Sequence, residues 1–227
     1  MSSLVIIPAR KGSKSIKNKN KVLVNGKKLI EYTFDCVKKL KLDSEICLST
    51  DDKEIINIGK KYNIFAPFIR PKYISTDSAT LNAVIIHALS WYKKNKNFTP
   101  SYVILLQPTS PGREKKDIIE SIKLFKKKNK ESLISVSEPI NHPCEIIIKK
   151  NHINYFALER SNNSQRQKYP KAYFIDGSIY IFKTNFFLKS NKIYDEKSVL
   201  YLSKSKNLVD IDDMKDLKYF EFLSKQK

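Results

Sequence analysis

Ser3-Leu4-Val5-Ile6-Ile7-Pro8-Ala9-Arg10-Lys11-Gly12-Ser13-Lys14-Ser15-Ile16-Lys17-Asn18-Lys19-Asn20 is the stretch on which the fold turns. Leu4 to Ile7 is an unbroken apolar run, the pattern of a strand buried on both faces. The residues after Pro8 are mostly polar, with one Gly, two hydroxyls, one Arg and several Lys. Such a loop, placed directly after a strand, can offer backbone N–H groups and cations to a phosphate chain. Its glycine spacing matches neither G-x-x-x-x-G-K-[ST] nor G-x-G-x-x-G. The alternative is a solvated basic turn, and the loop alone leaves both readings open.

Along the rest of the chain, strands and helices alternate. Gly26 marks a turn, and Leu29 to Leu40 carries apolar residues at helical spacing. A strand is expected over Glu45–Ser49 and a helix over Asp52–Lys61, with Asp51-Asp52 between them as a cap or as metal or ribose ligands. The irregular stretch from Phe68 to Asp77 leads to a helix over Thr80–Lys94, where His87 reads as a packed or a catalytic histidine. Tyr102–Leu106 is the next strand. It stops at Gln107-Pro108-Thr109-Ser110-Pro111, ahead of a helix over Lys115–Lys127 and a strand over Leu133–Ser137. This alternation predicts an α/β fold: a mainly parallel sheet with helices on both faces. Ligands of such sheets sit at the carboxyl ends of the strands, where the loops after Ile7, Ser49 and Leu106 converge.

The pattern then changes. Cys144–Lys149 and Ile153–Leu158 flank a turn like a hairpin, Ser161–Lys168 is polar and read as mobile, and Ala172–Phe182 returns to strand character. Residues 139–182 are expected to be an excursion from the sheet, a lid or subunit contact. Near the end, Leu208-Val209-Asp210-Ile211-Asp212-Asp213 precedes a helix over Met214–Leu223. In extended backbone Asp210 and Asp212 share a face and suit Mg²⁺ with a phosphate as further ligand, although Asp212 or Asp213 could equally cap the helix.

The 227 residues are enough for one sizeable domain, 1–227, without internal repeat or low-complexity linker. No apolar run approaches the ~20 residues of a membrane span. Met1 leads into a strand without a secretory pattern, and Cys36, Cys47 and Cys144 lack disulfide or zinc spacing, so a reducing, cytoplasmic setting is expected. The net charge of +20 is spread over many helix faces in a Lys-, Ile- and Asn-rich composition, which reads as compositional background plus one anionic ligand rather than as a nucleic-acid arm.

Several stretches together resemble the bacterial acylneuraminate cytidylyltransferases, a family that includes enzymes acting on legionaminic acid. They are Ile6 to Arg10 with Ser13-Lys14 and Lys19-Asn20; Leu48 to Asp52; Arg70-Pro71 with Thr76-Asp77; Leu105 to Pro111 with Arg113; Arg166-Gln167; Gly177 to Tyr180; and Val209 to Asp212. The resemblance implies a Rossmann-like nucleotidyltransferase fold and a homodimer. It implies Mg²⁺-dependent transfer of CMP from CTP to a nine-carbon sugar acid, with release of pyrophosphate. By that likeness Ala9, Arg10, Ser13, Lys19, Asn20, Arg70 and Thr80 would serve the nucleotide. Gln107 and Tyr180 would contact the sugar, and Arg166 would reach its carboxylate from the partner subunit. Asp210 and Asp212 would hold the metal, with Arg10, Lys19 and that pair as the catalytic set. The eight-carbon CMP-Kdo synthetases are a related alternative, but they usually carry a different loop. Departures from the family pattern are Ser15 and Lys17 in the phosphate loop, Gly112 for Leu, Phe174 for Arg and Asp176 for Asn. The last two imply a lost cation and an added negative charge on the phosphate side.

Overall fold

The computed structural model describes residues 2–38, 40, 44–158 and 165–226. Its centre is a six-stranded sheet built from β1 (Ser3–Pro8), β4 (Ser44–Ser49), β5 (Tyr102–Leu105), β6 (Ser132–Ser137), β9 (Phe174–Lys183) and β10 (Val199–Leu202), in the order β10-β6-β9-β5-β1-β4. Around it stand α1 (Leu29–Lys38), α2 (Lys53–Lys61), α3 (Leu81–Lys96), α4 (Lys115–Lys128), α5 (Thr184–Ser190) and α6 (Met214–Lys225). Two small hairpins, β2 (Leu23–Val24) with β3 (Lys27–Lys28) and β7 (Ile147–Lys150) with β8 (Ile153–Phe156), lie outside the sheet.

The continuous apolar run of β1 is explained by two covers. Val5 and Ile7 face a core shared with Ile30 and Phe34 of α1, Ile55 of α2 and Ile118 of α4. Leu4 and Ile6 face a second core with Ile85, Ala88 and Leu89 of α3 and Phe187 of α5. Successive side chains of a strand point to opposite faces, so a strand covered on both sides must be apolar throughout. A third cluster, Ile16 with Val24, Leu29, Ile211, Leu217 and Phe220, fastens the first loop and α6 to the body.

The expected helices are present within a residue or two, α1 being described to Lys38 and Leu40 standing just past it. Asp52 is a cap: its carboxylate accepts the Glu54 N–H at 2.9 Å, and Lys21 Nζ lies 3.0 Å from its other oxygen. Thr80 caps α3 in the same way by accepting from Ala83.

The sheet is mainly parallel, as expected, with one exception in the middle of the chain. β1 pairs parallel with β4 and β5, and β6 with β10, but β9 runs antiparallel between β5 and β6. The excursion expected over 139–182 therefore ends before Phe174, because Phe174–Lys183 is an internal strand that bridges the two parallel halves. Its hairpin is real, β7 and β8 standing with Ile147, Ile148, Ile153 and Phe156 exposed. Of Ser161–Lys168, read as a mobile stretch, residues 161–164 lie outside the described residues, and Arg166–Lys168 form one helical turn.

Candidate active site

The carboxyl ends of β1 and β5 open into a cleft of about 250 Å³. The first loop forms one wall as a pinned arch. Lys11 N–H donates to Asp51 at 2.8 Å, Asn20 Nδ2 donates to the Arg10 carbonyl at 3.1 Å, and Ile16 is buried beneath. Ala9 is the buried hinge from strand to loop, its N–H bonded to the Ser49 carbonyl at 2.9 Å. Anchored at these points, the loop is more than a solvated turn.

Six of the expected residues line this cleft together: Arg10, Ser13, Lys19, Asn20, Arg70 and Gln107. Arg70 is buried and aimed by Ser49, whose hydroxyl accepts from Nε at 3.1 Å while its carbonyl accepts from Nη2. Burial, followed by the charge of Arg10, takes its pKa down to about 10, so it stays cationic at neutral pH. Arg10 and Lys14 meet the carboxylate of Asp77, and chiefly the Arg10 contact holds that carboxyl below its ordinary range. The sequence alone does not announce this pairing, which spans 67 residues and has no local signature.

Lys19 links the cleft to the C-terminal carboxylates. Its ammonium donates to the Ile211 carbonyl at 2.8 Å and lies 3.7 Å from Asp212 Oδ1. From the other side Ile211 N–H bonds the Thr109 carbonyl at 2.8 Å, so the loop after β5 and the stretch around Asp210 close on each other. The helix cap here is Asp213, which with Asp216 forms a reciprocal capping box for α6. Asp210 and Asp212 are therefore spared for other work. Asp210 is held above the usual carboxylate range by burial first, opposed by a bond from the Thr109 hydroxyl and reinforced by Asp212. Its Oδ1 is buried without a hydrogen-bond partner.

Among the described residues no group of three or more His, Cys, Asp or Glu side chains could by itself hold a metal. The pair nevertheless fits Mg²⁺, which commonly takes one or two carboxylates and completes its shell with water and substrate phosphates. An unsatisfied buried oxygen on Asp210 beside an exposed Asp212 is the donor set such an ion requires.

Thr80 does not line the cleft; it caps α3 between Ala79 and Leu81, which do. Tyr180 is buried beyond Asp210 and stacked on Tyr194 with ring centroids 6.1 Å apart, its phenol pushed up to about 12 by burial and then by Asp210. Arg166 is not brought to the cleft of its own chain. It is exposed beside the β7–β8 hairpin and paired with Glu145 at 2.8 Å. His87 packs edge-on against Phe68, with ring centroids 4.5 Å apart, and its pKa is lowered by burial and by Arg70.

Two of the departures, Gly112 and Asp176, have structural accounts, and both lie beside Arg113, a residue of the family pattern. Arg113 is fully buried, and its guanidinium donates to the Ser178 carbonyl at 2.7 Å and the Gln107 carbonyl at 2.5 Å, bracing the Gln107 loop against β9. A Cβ on Gly112 would stand 1.7 Å from the Asn207 carbonyl oxygen, so the segment leading to Asp210 passes where a larger residue would be. Asp176 corrects the expectation of a charge facing phosphate. It is buried and accepts from Ser135, Ser178 and Ser203. Phe174 is exposed at the start of β9.

The family model for cytidylyltransferases matches residues 4–227. The chain belongs to the cytidylyltransferase family. Over 227 residues it is 31% identical to a pseudaminic acid cytidylyltransferase of Campylobacter jejuni, spanning 99% of this chain and 97% of that one. It is 31% identical over 215 residues to a CMP-N,N'-diacetyllegionaminic acid synthase of Legionella pneumophila, 93% of this chain and 91% of that one. A solved CMP:2-keto-3-deoxy-manno-octonic acid synthetase in complex with CTP superposes over 100% of this chain and 99% of its own, with a TM-score of 0.71 at 13% identity. That last likeness confirms the α/β nucleotidyltransferase fold. In this cytidylyltransferase, then, the cationic cleft and the adjoining carboxylates lie where the family fold puts strand ends and loops together.

Proposed function

We propose that the chain transfers CMP from CTP to the anomeric hydroxyl of a nonulosonic acid, with release of pyrophosphate. The observation that carries this reading is the meeting of Arg10, Lys19 and Arg70 in one cleft whose far side, through Lys19, is the Asp210–Asp212 pair. The names of the full-length relatives support this acceptor class. The eight-carbon acid rests on a likeness of fold alone.

In this reading the triphosphate lies along the arch of the first loop. Arg10 exchanges Asp77 for a phosphate, Lys19 spans the phosphates and the carboxylate segment, and Arg70 holds a charge fixed by Ser49. The anomeric hydroxyl gives up its proton to solvent as its oxygen bonds to the α-phosphorus, and the bond from that phosphorus to the bridging oxygen breaks, so that pyrophosphate leaves. The side chains contribute position and charge compensation rather than covalent chemistry. A divalent cation held by Asp210 and Asp212 would supply further charge neutralisation at the phosphates when bound. Gln107 and Tyr180 belong to the acceptor side.

Arg166 completes the site from the partner subunit in a homodimer joined through the β7–β8 arm, whose exposed apolar side chains need cover. A cytoplasmic setting belongs to the same reading, because that is where CTP is at hand. Among the described residues no helix is long and apolar enough to cross a membrane. The deciding assay is pyrophosphate release with CTP, Mg²⁺ and a panel of pseudaminic, legionaminic, sialic and Kdo acids. Turnover with a nine-carbon acid is expected, and turnover with Kdo alone refutes the reading.

A further inference from the structure

Where β6 meets β9 the ladder is interrupted. Ile134 pairs with Tyr180, but Val136 already pairs with Ile175, so Ser135 alone stands opposite residues 176–179. A bulge of this size takes the N–H groups of Ser178 and Ile179 off the ladder inside a buried sheet, where an unpaired donor is costly. Both are nonetheless bonded. Ser178 N–H donates to Asp176 Oδ1 at 2.9 Å, and Ile179 N–H donates to Ser135 Oγ at 2.7 Å. The Ser135 hydroxyl itself donates to Asp176 Oδ1. The second carboxylate oxygen accepts from Ser203 Oγ at 2.6 Å, immediately after β10 on the segment that runs on to Asp210. One buried side chain therefore joins β6, β9 and the end of β10.

The bulge is a wall of the proposed metal site. Gly177 at its apex has φ +69°, and a Cβ there would lie 2.7 Å from Asp210 Oδ2. Asp210 thus rests against backbone whose shape depends on Asp176. The negative charge of Asp176 also reaches the site, where it and Asp210 both act on the buried Arg113.

We propose that Asp176 is a positioning residue for cation binding: it closes the β9 bulge against which Asp210 is seated, and its charge deepens the negative potential there. The cation half rests on the proposed metal role of Asp210 and Asp212; the geometric half does not. D176N separates charge from shape. The amide oxygen can take the Ser178 N–H while the amide nitrogen donates to the Ser203 hydroxyl, so the bulge is retained and the charge lost. D176A removes both.

The experiment combines calorimetric titration of Mg²⁺ into the protein with a non-hydrolysable CTP analogue bound, and hydrogen exchange of the Ser178 and Ile179 amides. For D176N the expected result is wild-type exchange protection with Mg²⁺ affinity weakened about three- to tenfold, the order expected for removing one partly screened charge near a divalent ion. For D176A, exchange at both amides accelerates at least tenfold and Mg²⁺ affinity falls further. D176N binding Mg²⁺ like the wild type overturns the charge half, and D176A with wild-type protection overturns the bulge half. A wild-type protein that binds no Mg²⁺ overturns the metal reading and the charge half with it, while the exchange measurement still decides the geometry.

Discussion

Gly112→Ala adds a single methyl group at the tightest backbone approach among the glycines. The new carbon would lie 1.7 Å from the Asn207 carbonyl oxygen, 2.5 Å from its carbon and 3.2 Å from Leu208 N. All three atoms are backbone, so no rotamer change relieves the clash. Ordinary contact requires ~3.5 Å, and the 207–208 segment must withdraw by about 1.5–2 Å. That segment is held on both sides: Asp117 accepts from Lys204 and Ser205 N–H, each at 3.1 Å, and Ile211 N–H bonds Thr109. Overpacking in a fixed core costs about 1–3 kcal/mol, and strain on those bonds brings the expectation to about 2–4 kcal/mol. For a domain of this size that is a fall of roughly 5–12 °C in Tm. Asp210 lies three residues beyond Asn207, so the concentration of Mg²⁺ needed for half-maximal turnover rises as well. Thermal denaturation and Mg²⁺-dependent pyrophosphate release are the assays. A Tm within ~2 °C of wild type, with unchanged Mg²⁺ dependence, refutes the claim that this contact positions the carboxylate segment.

Asp210→Ala and Asp212→Ala should each lower turnover by about 100-fold or more with little loss of Tm; near-normal rates in both exclude them as metal ligands. Arg166→Ala should raise KM for the sugar acid far more than for CTP, by ~1.5–3 kcal/mol in kcat/KM. Mixing it with the Asp210→Ala/Asp212→Ala chain restores activity if Arg166 crosses to the partner; no recovery despite proven subunit exchange places it elsewhere. Asp77→Asn should lower the Kd for CTP severalfold, because Arg10 no longer has to leave a carboxylate; weaker binding in a titration would mean that Asp77 orients Arg10 instead. Lys28 and Lys21 take the Glu54 carboxyl from 4.5 to about 2. A depressed carboxylate stabilises the fold above its unfolded pKa and loses that contribution as pH falls through the folded value. Glu54→Gln should accordingly flatten the stability profile between pH 4.5 and 2, and do so less in high salt; parallel wild-type and mutant acid titrations contradict this.

The first half of the molecule is legible in the sequence because its signals are local. Burial on two faces writes an apolar run into β1, and Asp52 and Thr80 declare helix starts at the residues that cap them. Strand order is not local. Phe174–Lys183 is recognisable as a strand, yet nothing in its own residues says that it inserts between β5 and β6. Thr184–Ser190 and Val199–Leu202 are too short for periodicity to single out. In the site, the cations of the cleft follow from the loop and the family pattern. The roles of Arg113 and Asp176 do not, since an Arg and an Asp in polar loops read as ligand groups until three-dimensional packing buries them.

The place of β9 also sets an order of assembly. β5 acquires its second neighbour, and β6 and β10 their connection to the sheet, only through a strand that ends at Lys183. As the chain leaves the ribosome, β1, β4 and β5 and the loops that line the cationic cleft can form while the sheet still has an open edge at β5. Pairing of Leu105 with Tyr180 must then close a loop of some seventy residues, the slow kind of contact in folding. The carboxylates at 210 and 212 emerge later still. The residues that gather positive charge are therefore made before those that would hold a metal, although Ile16 and Lys19 gain their final anchors only with Ile211, and until β9 arrives the nascent chain offers an unpaired apolar strand, the state most in need of protection from aggregation.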